Sequence, residues 1–273
     1  MYLVFDIGGT NMRIGVSSDG ETLKETKIVP TPQDFEQGIQ ALKQVAEDLS
    51  HGEKIDGMAG GVAGPLNKEK TGLATGPNMP GWINQPLKTE LEKIFDCQVL
   101  LENDTAMGGI GEAVKGAGKD NKVVAYIALG TGVGGKRIVD GKISSDSFNF
   151  EPGHQIIVPD GDPCNCGGKG HMESYVSGSY FEKKYGKKGE DIRDPKVWDE
   201  ISRYLAISLV NSTVHWTPDI IVLGGSVSIS IPLQKVNAYL KKLLTIYPTA
   251  PQVVLGTLGH DAGLYGALEL LKS

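Results

Sequence analysis

The chain has 273 residues, with 27 Lys plus Arg against 33 Asp plus Glu for a net charge of −6, and 40% hydrophobic against 22% charged residues. That length holds one large or two ordinary domains with a sizeable core, and the mild acidity argues against a protein devoted to a polyanionic surface. Glycine is in surplus, at 37 residues or about 14%, without a Gly-X-Y period or a proline excess, which excludes collagen-like and disordered classes and points to special turns or to backbone close to a ligand.

In chain order, Tyr2 to Ile7 is a short apolar run broken by Asp6 and closed by Gly8-Gly9, the pattern of a buried strand entering a tight turn. Met12 to Ser17 reads as a second strand, Asp19-Gly20 as a hairpin turn and Thr22 to Val29 as the returning strand. Asp34 to Leu49 has apolar residues at helical spacing. Ile55 to Val62 and Gln98 to Leu101 predict strands, with helices near Gln85 to Phe95 and Thr105 to Lys115. Val123 to Leu129 then runs into Gly130-Thr131-Gly132, Val133 to Val139 continues as a strand, and Asp140-Gly141 turns back into Lys142 to Ser144. Strand, Gly-Thr turn, strand, Asp-Gly turn, strand thus occurs twice, which predicts duplicated α/β domains with mixed sheets flanked by helices and a cleft between them. An irregular Gly/Cys/His segment follows at Glu151 to Gly170, then a helix near Val197 to Trp216, a strand at Ile220 to Leu223 and a final helix near Ala262 to Leu271. Gly116 to Lys119 is the candidate hinge.

No apolar run approaches the ~18 residues of a membrane span, and the N-terminal residues MYLVFDIGGT lack the basic and small-residue marks of an export signal. Lys183 to Lys188, with its four lysines, reads as a solvated loop or helix end. Three cysteines, Cys97, Cys164 and Cys166, make a poor disulfide framework, so a cytoplasmic protein is expected.

Three strand ends run into glycine turns: Asp6-Ile7-Gly8-Gly9-Thr10, Gly130-Thr131-Gly132 and Leu223-Gly224-Gly225-Ser226. Backbone N–H groups exposed beside glycines form anion sites, and a neighbouring hydroxyl adds a donor. A single such turn is commonplace; three, two of them in equivalent positions of a repeat, favour a bound nucleotide. The Walker pattern is absent, and Gly130 to Gly135 leads into a strand rather than a helix, which disfavours a Rossmann site. Asp6, beside the first turn, suits Mg²⁺ held by one carboxylate plus phosphates, or else caps its own turn. Asp104 heads a helix and is either a first-turn or capping carboxylate or a general base. Cys164 and Cys166, one residue apart and flanked by His154 and His171, offer two thiolates and two imidazoles for a structural Zn²⁺ in a loop with little core of its own.

Together these segments resemble the ROK (repressor, open reading frame, kinase) family of sugar kinases within the actin/hexokinase superfamily. The likeness rests on DIGGTNMRIGV (6–16), GVAGP (61–65), NMPGW (78–82), ENDTAMGG (102–109), LGTGVGGKRIVDGKI (129–143), EPGH (151–154), CNCGGKGHMES (164–174), IVLGGSV (221–227) and DAGLYGA (261–267), in order along nearly the whole chain. The resemblance implies two actin-like (ribonuclease H-like) domains, 1–116 and 117–260, the second carrying a zinc loop at 151–173, with helix 261–273 packing back on the first. It implies ATP, Mg²⁺, structural Zn²⁺, a hexose acceptor and a homodimer. By position, Asp6 serves Mg²⁺; Gly8, Gly9, Thr10 and Asn11 form the first phosphate loop and Gly130, Thr131 and Gly132 the second; Gly224 and Gly225 lie against the adenosine. Asp104 becomes the catalytic base, and Gly64, Asn78, Asn103, Asp104, Glu151, His154 and Glu173 hold the sugar. One departure stands out: family kinases carry three cysteines and one histidine on zinc, whereas His171 occupies the third cysteine position here.

The expected activity is a glucokinase-like transfer of the γ-phosphoryl group of ATP to the 6-hydroxyl of glucose or a related hexose. The nearest alternatives are an N-acetylmannosamine or N-acetylglucosamine kinase, or a fructokinase. A sugar-sensing ROK protein is the non-enzymatic alternative, but the family's repressors carry an added DNA-binding helix-turn-helix and the DIGGT strand starts at the second residue here. No nucleic acid or membrane partner is expected.

Overall fold

The first apolar run forms β1 (Tyr2–Ile7), hydrogen-bonded on one edge to antiparallel β2 (Asn11–Ser17), which in turn pairs with β3 (Glu25–Pro30). The computed structural model describes residues 1–76, 79–144 and 150–272. β3 starts three residues later than its pattern predicts, because Asp19 consumes Thr22: the carboxylate accepts the Glu21 and Thr22 N–H groups and the Thr22 hydroxyl at 2.7–2.9 Å. The Asp19-Gly20 turn is therefore a wider loop than a two-residue hairpin.

α1 (Phe35–Ser50) follows, capped by the Asp34 carboxylate on the Gln37 N–H at 3.0 Å, and it buries Ile39, Leu42, Val45, Ala46 and Leu49 at helical spacing. Gly38 on this helix has no room for a side chain, since a Cβ would lie 2.1 Å from the Trp82 ring. β4 (Gly57–Val62) is buried along its whole length and runs parallel to β1; α2 (Leu87–Phe95) leads into β5 (Gln98–Asn103), parallel to β4. β5 ends where α3 (Asp104–Val114) begins. The resulting sheet has the order β3-β2-β1-β4-β5.

The second half repeats this arrangement. β6 (Val123–Leu129) pairs antiparallel with β7 (Val133–Val139), which pairs with β8 (Lys142–Ile143) through Asp140 and Gly141, both left-handed at φ 51° and 75° as a two-residue hairpin requires. α4 (Glu173–Val176), α5 (Gly178–Tyr185) and α6 (Pro195–Trp216) precede β9 (Ile220–Gly224), and α7 (Leu233–Leu243) precedes β10 (Gln252–Leu255). β9 is parallel to β6 and β10 parallel to β9, giving β8-β7-β6-β9-β10, the same order and the same strand senses as the first sheet. The duplication read from the turns is thus a duplication of topology. α4, α5, α7 and β10 have no counterpart in the pattern reading: α4 spans four residues, α5 is rich in charge, and β10 is only four residues long. The Lys183 to Lys188 run straddles the C-terminal end of α5.

By contacts the chain forms two compact units, Met1–Val114 with His260–Ser273, and Lys115–Gly259. α8 (Ala262–Leu270) belongs to the first, packed on α3 at a distance only glycines allow: a Cβ on Gly111 would lie 2.1 Å from the Ala262 carbonyl oxygen, and one on Gly266 would lie 1.9 Å from that of Met107. Each unit has its own apolar core, around Phe5, Ile14, Leu42 and Trp82 in the first and Ile127, Phe181, Leu205 and Leu209 in the second. Among the described residues no helix is long and apolar enough to cross a membrane.

Candidate active site and metal centre

In the first unit the strand register sets Asp6 opposite Arg13 on β2 and beside Gly61 on β4. Arg13 Nη1 lies 3.9 Å from Asp6 Oδ2, and each side chain is about one-fifth exposed. Two further glycines clear space for acids: a Cβ on Gly263, in the first turn of α8, would lie 3.2 Å from Asp6 Oδ2, and one on Gly61 would lie 3.0 Å from the Asp104 Cα. Burial pushes the Asp6 carboxyl up to about 7, the nearby Asp104 adds to the rise, and Arg13 opposes it. Asp6 does not cap its own turn, because no described hydrogen bond from residues 8–11 reaches its carboxylate.

The Gly8–Asn11 turn is held by its carbonyls. Thr31 Oγ1 donates to the Gly8 carbonyl (2.6 Å), Gln33 Nε2 to that of Gly9 (3.2 Å) and the Thr31 N–H to that of Thr10 (2.9 Å). With the carbonyls tied back, the described hydrogen bonds leave the Gly9 and Thr10 N–H groups open, which is the polarity an anion needs.

Asn103, not Asp104, caps α3: its Oδ1 accepts the Ala106 N–H at 3.3 Å. Its Nδ2 donates to the carbonyl of Gly64 (3.2 Å) and to Asp104 Oδ1 (3.0 Å). Asp104 Oδ1 also accepts the Thr105 N–H at 2.7 Å. Every hydrogen bond described for the Asp104 side chain falls on Oδ1, and Oδ2 has no described partner. Burial raises the Asp104 carboxyl, and the bonds from Thr105 and Asn103 pull against that rise. Gly64 has φ 131°, and a Cβ there would sit 2.8 Å from the Thr75 carbonyl oxygen, so the backbone demands glycine. Asn78 lies outside the described residues.

The second unit mirrors the first turn. The carbonyls of Gly130 and Thr131 accept the N–H groups of Gly178 (2.7 Å) and Ser179 (3.1 Å) at the start of α5, with a further bond from Ser179 Oγ to Thr131 (2.8 Å), while the Thr131 and Gly132 N–H groups have no described partner. Glu173 Oε2 accepts the Val133 N–H at 2.8 Å, and a Cβ on Gly132 would lie 2.6 Å from that oxygen. A cavity of about 830 Å³ adjoins this corner, with Cys164, Glu173, Ser177, Ser179 and Lys183 in its wall. The third turn differs. Cβ atoms on Gly224 and Gly225 would strike the Tyr126 hydroxyl (2.0 Å) and the Leu129 carbonyl (2.3 Å), and Gly225 has φ 83°, so packing alone accounts for both glycines.

His154 ends a 3-10 helix (Pro152–His154), and the loop after it brings Cys164, Cys166 and His171 to one point. The four ligand atoms lie within 4.8 Å of one another, with Cys164 Sγ 3.7 Å from His154 Nδ1 and Cys166 Sγ 3.3 Å from His171 Nδ1. Tetrahedral Zn²⁺, with Zn–S about 2.3 Å and Zn–N about 2.0–2.1 Å, separates its ligands by about 3.3–3.8 Å, so the donor set fits in type and these two Cys–His separations fit in spacing. Gly168 makes room for His171: a Cβ there would be 2.4 Å from the ring. Glu151 precedes this 3-10 helix; burial raises its carboxyl, against the pull of Lys136 and His154.

The profile of the ROK family matches residues 2–273. The chain belongs to the ROK family. Among its curated relatives, a glucokinase of Thermotoga maritima is 29% identical over 98% of this chain and 96% of its own length, and an N-acetyl-D-glucosamine kinase of Yersinia pseudotuberculosis is 29% identical over 99% and 98%. Among solved structures, a ROK hexokinase from Thermus thermophilus superposes with a TM-score of 0.87 at 28% identity, covering 100% of this chain and 99% of that one. A ROK family glucokinase from Streptomyces griseus, solved with glucose and AMPPNP, gives 0.81 at 28% identity over 98% of both chains. The actin-like fold of this ROK chain follows from these matches and from the doubled sheet.

Within the first unit of this ROK protein, Asp6, Gly64, Asn103 and Asp104 are drawn to the β1, β4 and β5 ends; in the second, Glu173 joins the Gly130–Gly132 turn to the Cys/His cluster. Arg13 is the residue that motif reading missed. It lay inside the first quoted segment, but only strand register faces it to Asp6, and its Nε is buried without a described partner.

Proposed function

We propose that this chain transfers the γ-phosphoryl group of ATP to the 6-hydroxyl of glucose or a closely related hexose. The observation that carries the reading is Asp104, a largely buried carboxylate clamped through Oδ1 with no described bond on Oδ2, near a second largely buried carboxylate, Asp6. Asp104 Oδ2 accepts the proton of the sugar hydroxyl as its oxygen attacks phosphorus in line. The open N–H groups of Gly9, Thr10, Thr131 and Gly132 bind phosphate oxygens, and Asn11 lies at the edge of the first turn. Asp6, faced by one guanidinium at 3.9 Å and with the Asp104 carboxylate nearby, is short of positive charge, so it fits Mg²⁺, which needs few protein carboxylates when phosphates and waters complete its shell. Bound there, Mg²⁺ neutralises phosphate charge.

Gly64, Asn103, Glu151, His154 and Glu173, with Asn78, are assigned to the sugar. Paired acids and amides reject polyols that leave them unsatisfied. Zn²⁺, which His154, Cys164, Cys166 and His171 would hold, would have a structural part, fixing the His154 ring and the loop leading to Glu173. Gly224 and Gly225 are assigned to the adenosine side of the nucleotide, on the strength of the family resemblance alone. A cytoplasmic location is assigned on the cysteine usage and the N-terminal residues read above.

A second reading, an N-acetylhexosamine kinase, is favoured by a cavity of about 500 Å³ beside Glu151, where Phe150, Gln155, Asn211 and Trp216 offer space and amides for a substituent larger than hydroxyl. An ADP-release assay across glucose, mannose, fructose, N-acetylglucosamine and N-acetylmannosamine separates the readings. Turnover confined to the acetamido sugars would replace the first reading with the second, and no turnover on any sugar would remove both.

A further inference from the structure

Most ion pairs here join two exposed side chains, such as Lys27–Asp48 with 45% and 44% of their side chains exposed. Glu102 differs: only 8% of its side chain is exposed, it sits next to Asn103 and Asp104 at the end of β5, and its partner is the ammonium of Lys70, which is 55% exposed. Burying a carboxylate without a partner is costly, so the position of Lys70 matters to it.

Lys70 is delivered by a small hairpin closed by the Leu66–Leu73 bridge, with Lys70 itself left-handed at φ 52° and its N–H on the Asn67 carbonyl at 2.9 Å. The Asn67 side chain spans the hairpin, donating to Thr71 Oγ1 (2.7 Å) and accepting the Thr71 N–H (2.8 Å). Behind it, the Lys88 N–H bonds the Thr71 carbonyl at 3.0 Å, so the hairpin is braced against the scaffold. Its root is Gly64, whose carbonyl accepts from Asn103 Nδ2.

The hairpin therefore reaches the β5 end at two points, and the contacts continue inward. Lys70 Nζ donates to Glu102 Oε2. Glu102 Oε1 accepts the Asn103 N–H at 2.9 Å, Asn103 Nδ2 donates to Asp104 Oδ1, and Asn103 Oδ1 accepts the Ala106 N–H. We propose that Lys70 is a positioning residue: by fixing Glu102 it orients the Asn103 amide and, through it, the Asp104 carboxylate that receives the substrate proton. The proposal rests on Asp104 acting as the base. A carboxylate displaced by a fraction of an ångström loses alignment with the hydroxyl, and such losses are expensive in rate.

The test pairs kinetics with residue-resolved amide exchange on the full chain in Lys70→Met and Lys70→Arg. Lys70→Met is expected to lower kcat for the hexose about tenfold with the ATP KM within about twofold, and to speed exchange at Asn103, Thr105 and Ala106 about tenfold while Met107 to Ala113 keep their protection. Lys70→Arg restores both. Unchanged exchange at those three amides in Lys70→Met, or an Arg variant as impaired as the Met variant, overturns the proposal. If Lys70→Met fails to fold, the Lys70→Met/Glu102→Gln double variant removes the stranded charge and must show the same local acceleration; unchanged exchange there is equally fatal. A wild-type chain that phosphorylates no hexose removes the kinase reading instead, and the exchange rates still decide whether Lys70 holds this turn.

Discussion

The carboxylate of Glu173 accepts the Val133 N–H at 2.8 Å, and its second oxygen lies 3.9 Å from Cys164 Sγ. One side chain thus ties the metal loop to the first residue after the second phosphate turn. Glu173→Gln keeps an acceptor for Val133, whereas Glu173→Ala removes it. We expect Ala to raise KM for both ATP and sugar about tenfold or more, and Gln to spare ATP while weakening sugar. Steady-state kinetics in both substrates distinguish them; equal ATP constants in Ala and wild type would show that the bond does not hold the turn.

Much of this was legible in the sequence, because turns and short apolar strands are local signals. β6 and β7 run as their pattern predicts, and Asp140-Gly141 makes the turn its residues call for. What escaped depends on distant packing. Gly132 reads as an open phosphate-loop glycine, yet its missing Cβ leaves room for Glu173, far along the chain, so Gly132→Val should disturb sugar and ATP binding together rather than ATP alone. Gly130 does match an open turn, since a Cβ there meets nothing within 4 Å. Asn103 as the helix cap and Arg13 as the partner of Asp6 need strand register, which no local pattern carries.

Chelation tests the metal centre. The loop between the 3-10 helix and α4 has little core of its own, so a bound ion would contribute folding energy there. We expect about one zinc per chain by elemental analysis of protein prepared without chelator. Its removal should lower the melting temperature by several degrees and raise the sugar KM more than the ATP KM, because His154 belongs to the cluster and Glu173 adjoins it. Metal-free protein with unchanged melting and KM would contradict this.

Docking of α8 on α3 predicts a steep stability effect. Gly266→Ala forces a Cβ to within 1.9 Å of the Met107 carbonyl oxygen, a backbone atom that cannot swing away. The expected loss is about 2–3 kcal/mol in chemical denaturation, against well under about 1 kcal/mol for Gly130→Ala, where a Cβ meets nothing within 4 Å and the backbone is not left-handed.

Asp104→Asn leaves the amide oxygen to accept from Thr105 and Asn103 but removes the base. Turnover should fall by about 10²–10⁴ while hexose affinity, read by calorimetry without nucleotide, changes less than about threefold. Near-normal kcat would move the base elsewhere.

Asp6 predicts how stability depends on pH. Its carboxyl is raised from an ordinary 3.8 to about 7 in the folded chain, so the folded state holds a proton that the unfolded state releases. That contribution is fully present below about pH 4, declines as pH rises, and is lost above about pH 7, amounting to at most about 4 kcal/mol. Magnesium-free wild type should therefore be less stable at pH 8 than at pH 5 through this group. Asp6→Asn, which keeps the shape without the charge, should be more stable than wild type at pH 8, with the difference vanishing toward pH 4. The same variant should lose phosphotransfer, because the ionised carboxylate is what Mg²⁺ requires. Denaturant titrations at four pH values, with EDTA, decide it: a constant difference between Asn variant and wild type across that range would mean that Asp6 titrates normally in the folded chain.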